Sequence, residues 1–256
     1  MRLLRELSIV LLAACTALAT VARAETDASS AQGPWAGQTF LSDYSRLRPA
    51  DRTPGHDYVY VAPQVGPGSA HYRKVMFDQP EVFISPKSPY KGAKPADIEA
   101  IAELLRSTTV AALQRRGYEI VEQPGPQTVY VRMAITDLQI AKKSRRLLAY
   151  TPVGFAVDMA VKALQSFMDK FNIIDMSLQV EVHDSQSGDV LAEAVLKRGK
   201  GADASKPIPF DVMVSSANEL GERFACRLDN GRVAVAERID CSDPAARSQR
   251  PLVVER

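Results

Sequence analysis

Across residues 95–116, apolar positions return every three to four residues, so Ile98, Ile101, Ala102, Leu105, Thr109, Ala112 and Leu113 share one face of a predicted helix. Asp97 and Glu99 near its start and Arg115 and Arg116 near its end complement the helix dipole, and Gly117 supplies a stop. The period then changes to two. Residues 118–121 read as a short strand, Pro124-Gly125-Pro126 as a turn with Gly125 at positive φ, and 129–140 as a longer strand. In that strand Val129, Val131, Met133 and Ile135 alternate with polar residues before the phase slips at Leu138 and Ile140, which predicts a bulge near Thr136 or Asp137. Residues 176–182 and 190–196 alternate on either side of a turn, forming a hairpin with Gly188 at the left-handed position.

Weaker patterns flank this body. Val75, Phe77, Val82 and Ile84 suit an edge or bulged strand broken at Pro80, and residues 58–61 suit an extended segment. Phe40, Leu41, Tyr44 and Leu47 are spaced for a short docking helix, while Met213, Ala217, Leu220, Phe224 and Leu228 stripe a final helix over 211–228. Together these elements predict an α+β fold: a mostly antiparallel sheet of about five strands, with two or three helices packed on one face. The expected organisation is a leader over 1–24, a polar linker over 25–36, a single domain over 37–230 and a tail over 231–256, loose from residue 242 onward.

The leader changes the picture most. Arg2 and Arg5 precede an apolar run over 7–22, the pattern of an export signal. Leu12-Ala13-Ala14-Cys15 matches lipoprotein processing with a lipid on Cys15, whereas Ala22-Arg23-Ala24 matches ordinary cleavage before Glu25, and both readings stay open. No later stretch has the roughly 20 uninterrupted apolar residues of a membrane-crossing helix. The net charge of +2 comes entirely from Arg2, Arg5, Arg23 and Glu6, leaving the remainder neutral. That balance argues against a nucleic-acid partner, which calls for clustered cations. Cys226 and Cys241 would meet an oxidising compartment and are expected to form a disulfide. The three histidines are scattered and there is no C-x-x-C, so neither a metal site nor a cofactor is expected.

Candidate chemistry is sparse. His183-Asp184-Ser185 carries the residue types of a hydrolytic triad, but consecutive residues of a hairpin face alternate ways, and Asp and Ser are ordinary turn formers. His56 and His71 read as surface residues, and Asp137 as a polar anchor at the bulge. The Gly66-Pro67-Gly68 and Gly199-Lys200-Gly201 segments lack a phosphate-loop frame. Lys142, Lys143, Arg145 and Arg146 form a basic cluster directly before an apolar stretch over 147–171. There Val153, Val157, Ala160, Val161, Leu164, Met168 and Phe171 stripe a helix with two readings: a second core helix, or a partner- or membrane-facing surface centred on Val157 and Leu164.

Several segments resemble a bacterial family of predicted lipoproteins, the domain of unknown function 3313. They include Phe40-Leu41-Ser42-Asp43-Tyr44-Ser45-Arg46-Leu47, Lys74-Val75-Met76-Phe77-Asp78, Val121-Glu122-Gln123-Pro124-Gly125-Pro126, Arg132-Met133-Ala134-Ile135-Thr136-Asp137, and the hairpin from Val180 through Leu191. The resemblance implies an envelope location, often lipid-anchored, and supplies no activity or site residues. The expectation is therefore a non-enzymatic binding or scaffolding module in the periplasm or on the periplasm-facing outer membrane, with an envelope component as partner. The alternatives are a soluble periplasmic small-ligand binder, which a large apolar cavity would favour, and a periplasmic hydrolase, which would need converging titratable groups.

Overall fold

A computed structural model describes residues 38–50, 57–143, 159–197 and 206–249. The chain divides into two units, Met1–Ser45 and Arg46–Arg256. In the first, the Tyr44 hydroxyl accepts hydrogen bonds from the Phe40 and Leu41 amides, and Asp43 Oδ1 accepts from the Ser45 amide and hydroxyl. These local bonds take the place of helical ones. The expected docking helix is accordingly reduced to a single 3-10 turn, Tyr44–Arg46.

The second unit holds a mixed sheet built from β1 (Arg48–Pro49), β2 (Asp57–Val61), β3 (Lys74–Phe77), β4 (Glu81–Ile84), β5 (Glu119–Val121), β6 (Thr128–Lys142), β7 (Phe171–Asp184) and β8 (Val190–Lys197). The order is β1-β2-β8-β7-β6-β3-β5, with β4 also pairing β6. The expectation of about five strands is corrected, and that of mostly antiparallel pairing holds only for part of the sheet. Among the described residues there are eight strands, and β3 with β5, β3 with β6, and β4 with β6 are parallel. The physical reason is α1 (Pro95–Arg115), which lies between β4 and β5 and provides the long connection that parallel strands require. Pro80 separates β3 from β4, and the two dock in succession along β6.

The long β6–β7 ladder carries the predicted bulge. Pairing runs from Val129↔Asp184 to Thr136↔Ser177, slips, and resumes at Gln139↔Asp175, with Asp137 at φ 54. Gly188 closes the β7–β8 hairpin at φ 76, as its position predicts. Gly125 does not take the positive φ expected of it. Its amide donates to Ser185 Oγ, which donates to its carbonyl, and the left-handed residue is Gln127, at φ 61 just before β6.

Three helices contribute to one core on the sheet face that carries Val131, Met133, Ile135 and Val180. From α1 come Ile101, Leu104, Leu105 and Leu113, all buried; from α2 (Met159–Lys170) come Leu164, Phe167 and Met168. The third is α3 (Phe210–Asn230), which crosses α1 at Gly221. A Cβ there would lie 2.9 Å from the Thr108 carbonyl oxygen, so glycine permits the close approach of the two helices. Beyond α3, the stretch expected to be loose carries α4 (Pro244–Gln249). It is fastened by Arg247, whose guanidinium pairs with both carboxylate oxygens of Glu219 on α3 and donates to the Cys241 carbonyl.

Candidate functional site

The apolar stripe of α3 is not closed against the sheet. Leu220, Phe224 and Leu228 are only partly buried, and they form one wall of a cavity of about 580 Å³. The floor is the helix-facing side of β7, β8 and β2, including Val180, Val182, Leu191, Ala192, Ala194 and Val59. Strand alternation places Ala192, Ala194 and Leu196 on this face, and the two alanines leave space that larger residues would fill. The lining is mostly apolar with a few polar groups, and the volume lies within the roughly 300–1,000 Å³ of small-molecule sites.

The far wall is a strap made by Ile239, Asp240, Cys241 and Ser242. Three devices hold it. Cys226 and Cys241 form the expected disulfide, with a Cα–Cα distance of 5.7 Å. The Asn230 side-chain amide pairs with the backbone of Ile239, donating to its carbonyl at 2.8 Å and accepting from its amide at 3.1 Å. Arg247 adds the clamp already described. Cys226 is fully buried.

Polar groups are unevenly placed around the cavity. Arg223 and Arg227 project from α3, and Arg232 and Arg238 come from the segment that follows it. Arg223 Nη2 lies 3.9 Å from Asp57 Oδ2, and Arg238 Nη2 donates to the Val65 carbonyl at 3.3 Å. Arg232 stacks over the Tyr118 ring, 5.5 Å from its centroid, and its side chain is 9 % exposed. Asp229, beside it, accepts from Arg116 at 2.8 Å and from the Tyr118 hydroxyl at 3.0 Å. Burial, reinforced by Asp229, holds the Tyr118 hydroxyl far above the usual phenol range; burial and Asp184 do the same for Tyr72, which donates to Asp184 Oδ2 at 2.7 Å. Both tyrosines line the cavity as neutral donors already committed to carboxylates. Burial, and then the like charge of Arg223, lowers the Arg227 guanidinium below its ordinary value.

A second titratable group sits on the opposite face of β6 and β7. Arg132 bridges Glu81 at 3.2 Å and Glu181 at 3.1 Å, His183 Nε2 lies 2.9 Å from Glu181 Oε2, and Tyr130 donates to Asp78 at 2.7 Å. These side chains satisfy one another. His183 Nδ1 meets the Gly188 carbonyl at 3.1 Å, Asp184 Oδ1 accepts the Gln186 and Ser187 amides, and the Ser185 hydroxyl bonds Gly125. The three consecutive residues serve three different partners, as their turn and strand positions predict.

The other expected site residues lie apart from this cavity. Leu164 is fully buried in α2 and belongs to the core, which corrects its reading as a partner- or membrane-facing residue. An amphipathic helix beside a sheet buries its apolar stripe there first. Lys142 and Lys143 are exposed at the end of β6, whereas Cys15, Arg145, Arg146 and Val157 lie outside the described residues. Sequence reasoning missed the four arginines. The available signal was Arg223 and Arg227, four residues apart and each directly next to a member of the apolar stripe, but nothing in the sequence announced a gap beneath them.

Comparison with solved structures finds distant likenesses. A PelC dodecamer from Paraburkholderia phytofirmans is 11% identical, over 70% of this chain and 96% of that one, with a TM-score of 0.34. A neuraminyllactose-binding hemagglutinin homolog from Helicobacter pylori is 12% identical, over 68% and 91%, with a TM-score of 0.32. A DUF4136 family protein from Bacteroides thetaiotaomicron is 10% identical, over 69% and 96%, with a TM-score of 0.34. No curated protein matches. Residues 37–222, by contrast, match a family model, and on that match the chain belongs to the family described as protein of unknown function (DUF3313).

Proposed function

We propose that this protein is an exported, non-enzymatic binding module of the cell envelope, and that its cavity holds a small, largely apolar ligand. The observation that carries this reading is the unfilled apolar space of about 580 Å³ between α3, the strap and the sheet. Export is supported by the leader and by the Cys226–Cys241 bridge, a bond that persists where thiols are not kept reduced. A binding role is preferred to hydrolysis because the described residues that line the cavity include no histidine, and its cysteine is tied in the disulfide. Neither lipidation of Cys15 nor cleavage before Glu25 alters the cavity reading, which concerns the folded body.

The test is saturable uptake of an apolar fluorophore, N-phenylnaphthylamine, by the purified protein. One site per chain is expected in the wild type. Ala194→Phe, which fills the floor, should abolish uptake while leaving the thermal midpoint close to wild type, because the added ring enters existing space instead of overpacking the core. Uptake that is absent, or unchanged by Ala194→Phe, would reject the reading.

A further inference from the structure

We infer that the cavity selects an anionic amphipath, its single acyl chain lying on the β7–β8–β2 floor and its carboxylate or phosphate head held by Arg223, Arg227, Arg232 and Arg238. The inference rests on the cavity reading and adds the chemistry of the ligand.

Four guanidiniums line the space, against the carboxylates of Glu193 and Asp240. Glu193 is already paired with Arg46 at 3.1 Å. Asp57 forms a loose ion pair with Arg223 at 3.9 Å and, with Asp240, also faces Arg227, while Asp229 is shared by Arg116, Tyr118 and, at 3.8 Å, Arg232. Four guanidiniums still outnumber Asp57 and Asp240, so the lining keeps a cationic excess.

Hydrogen bonding around the cavity is also unmet. The Nε atoms of Arg223, Arg232 and Arg238 are buried and have no acceptor among the described residues. A buried donor without a partner costs free energy, and a buried charged donor costs more. Arg223 and Arg227 are also like charges four residues apart on one helix, and Asp57 and Asp240 offset their repulsion only in part, since burial and Arg223 still hold the Arg227 guanidinium below its ordinary value. A bound carboxylate or phosphate would accept from these forks and offset the repulsion.

A free anion would satisfy the arginines and leave Val180, Val182, Ala192 and Ala194 facing water, whereas a neutral hydrocarbon would leave the three buried Nε donors without acceptors. A ligand with both parts meets both demands.

The experiment uses delipidated full-chain protein and displacement of N-phenylnaphthylamine by dodecanoate, dodecyl phosphate, dodecanol, dodecyltrimethylammonium and inorganic phosphate. Dodecanoate or dodecyl phosphate should compete about ten- to a hundredfold more tightly than dodecanol, the range expected of one charge-assisted hydrogen-bonded pair. Whichever binds more tightly distinguishes a fatty-acid head from a phosphorylated lipid head, and either result supports the inference. The double variant Arg223→Gln, Arg227→Gln should lose the preference while retaining dodecanol. Arg227→Glu, its fold checked by circular dichroism, should shift the preference toward dodecyltrimethylammonium. Equal binding of the four chains overturns the charge selection and leaves the cavity reading standing. Inorganic phosphate competing as well as dodecyl phosphate overturns the amphipath, and displacement by none of them removes the cavity reading as well.

Discussion

Helices α1 and α3 each turn an apolar stripe toward the same sheet, α3 with the sharper separation of apolar and polar faces, yet they end in opposite states. Under α1, Ile101, Leu104 and Leu113 share one buried cluster with Val131, Ile135 and Leu138, and each is at most 1 % exposed. Under α3, Leu220, Phe224 and Leu228 stay partly buried over Ala192 and Ala194. Two features explain the contrast. Gly221 draws α3 toward α1, and the disulfide strap stands on its other side, so the helix is held by its neighbours and not by the floor below it. An apolar stripe thus signals that a helix will cover a surface, but it does not say that the surface will be filled.

The largest effect that tests this contrast is paired truncation. Leu113→Ala should cost about 2–5 kcal/mol, the range for a fully packed leucine, whereas Leu220→Ala should cost about 1 kcal/mol or less because its site is already open. Urea unfolding of both variants measures the difference. Equal losses would mean that the α3 side is packed as tightly as the α1 side.

Next comes the bridge. Replacing Cys241 with Ala should remove about 3 kcal/mol, the chain-entropy value for a loop of this length, since the two cysteines lie 15 residues apart. It should also weaken N-phenylnaphthylamine uptake, because Cys241 is part of the cavity wall. If stability falls while uptake keeps its wild-type midpoint, the strap is a brace for α3 and plays no part in the site.

The smallest effect serves as a control on the opposite face. Both ring nitrogens of His183 face acceptors, the Glu181 carboxylate and the Gly188 carbonyl, and the bond to Glu181 raises the imidazole above its ordinary value of 6.5. Protonated His183 is therefore favoured in the folded state. Its contribution is complete below pH 6.5 and disappears as the pH rises through the folded value. Its Cε1 proton, followed by NMR, should titrate above 6.5, and ligand uptake should not follow that titration. A midpoint below 6.5 contradicts the pairing with Glu181.

Local features were legible wherever a residue's own conformation or period decided the outcome. The slip at Asp137, the left-handed Gly188 and the 95–116 helix follow from alternation, a glycine and a 3.6-residue repeat. Strand direction was less legible. The helix between β4 and β5 was visible, but its consequence, a parallel return to β3, depends on where the chain lands and not on what it contains. Gly125 was misread because Ser185, 60 residues away, decides its geometry. The arginines of the cavity were individually plain and collectively invisible.

By itself, the order of residues determined the pairing partner open to Cys226, the hairpin, the bulge and the faces of the two long helices, since each depends on neighbours within a few positions or on a lone pair of thiols. Only the tertiary structure decided that the sheet is mixed, that Leu164 lies in the core, and that four arginines gather around an unfilled apolar space. Those outcomes rest on distances between segments far apart in the chain, where packing and loop closure choose among arrangements that the same local pattern permits equally well.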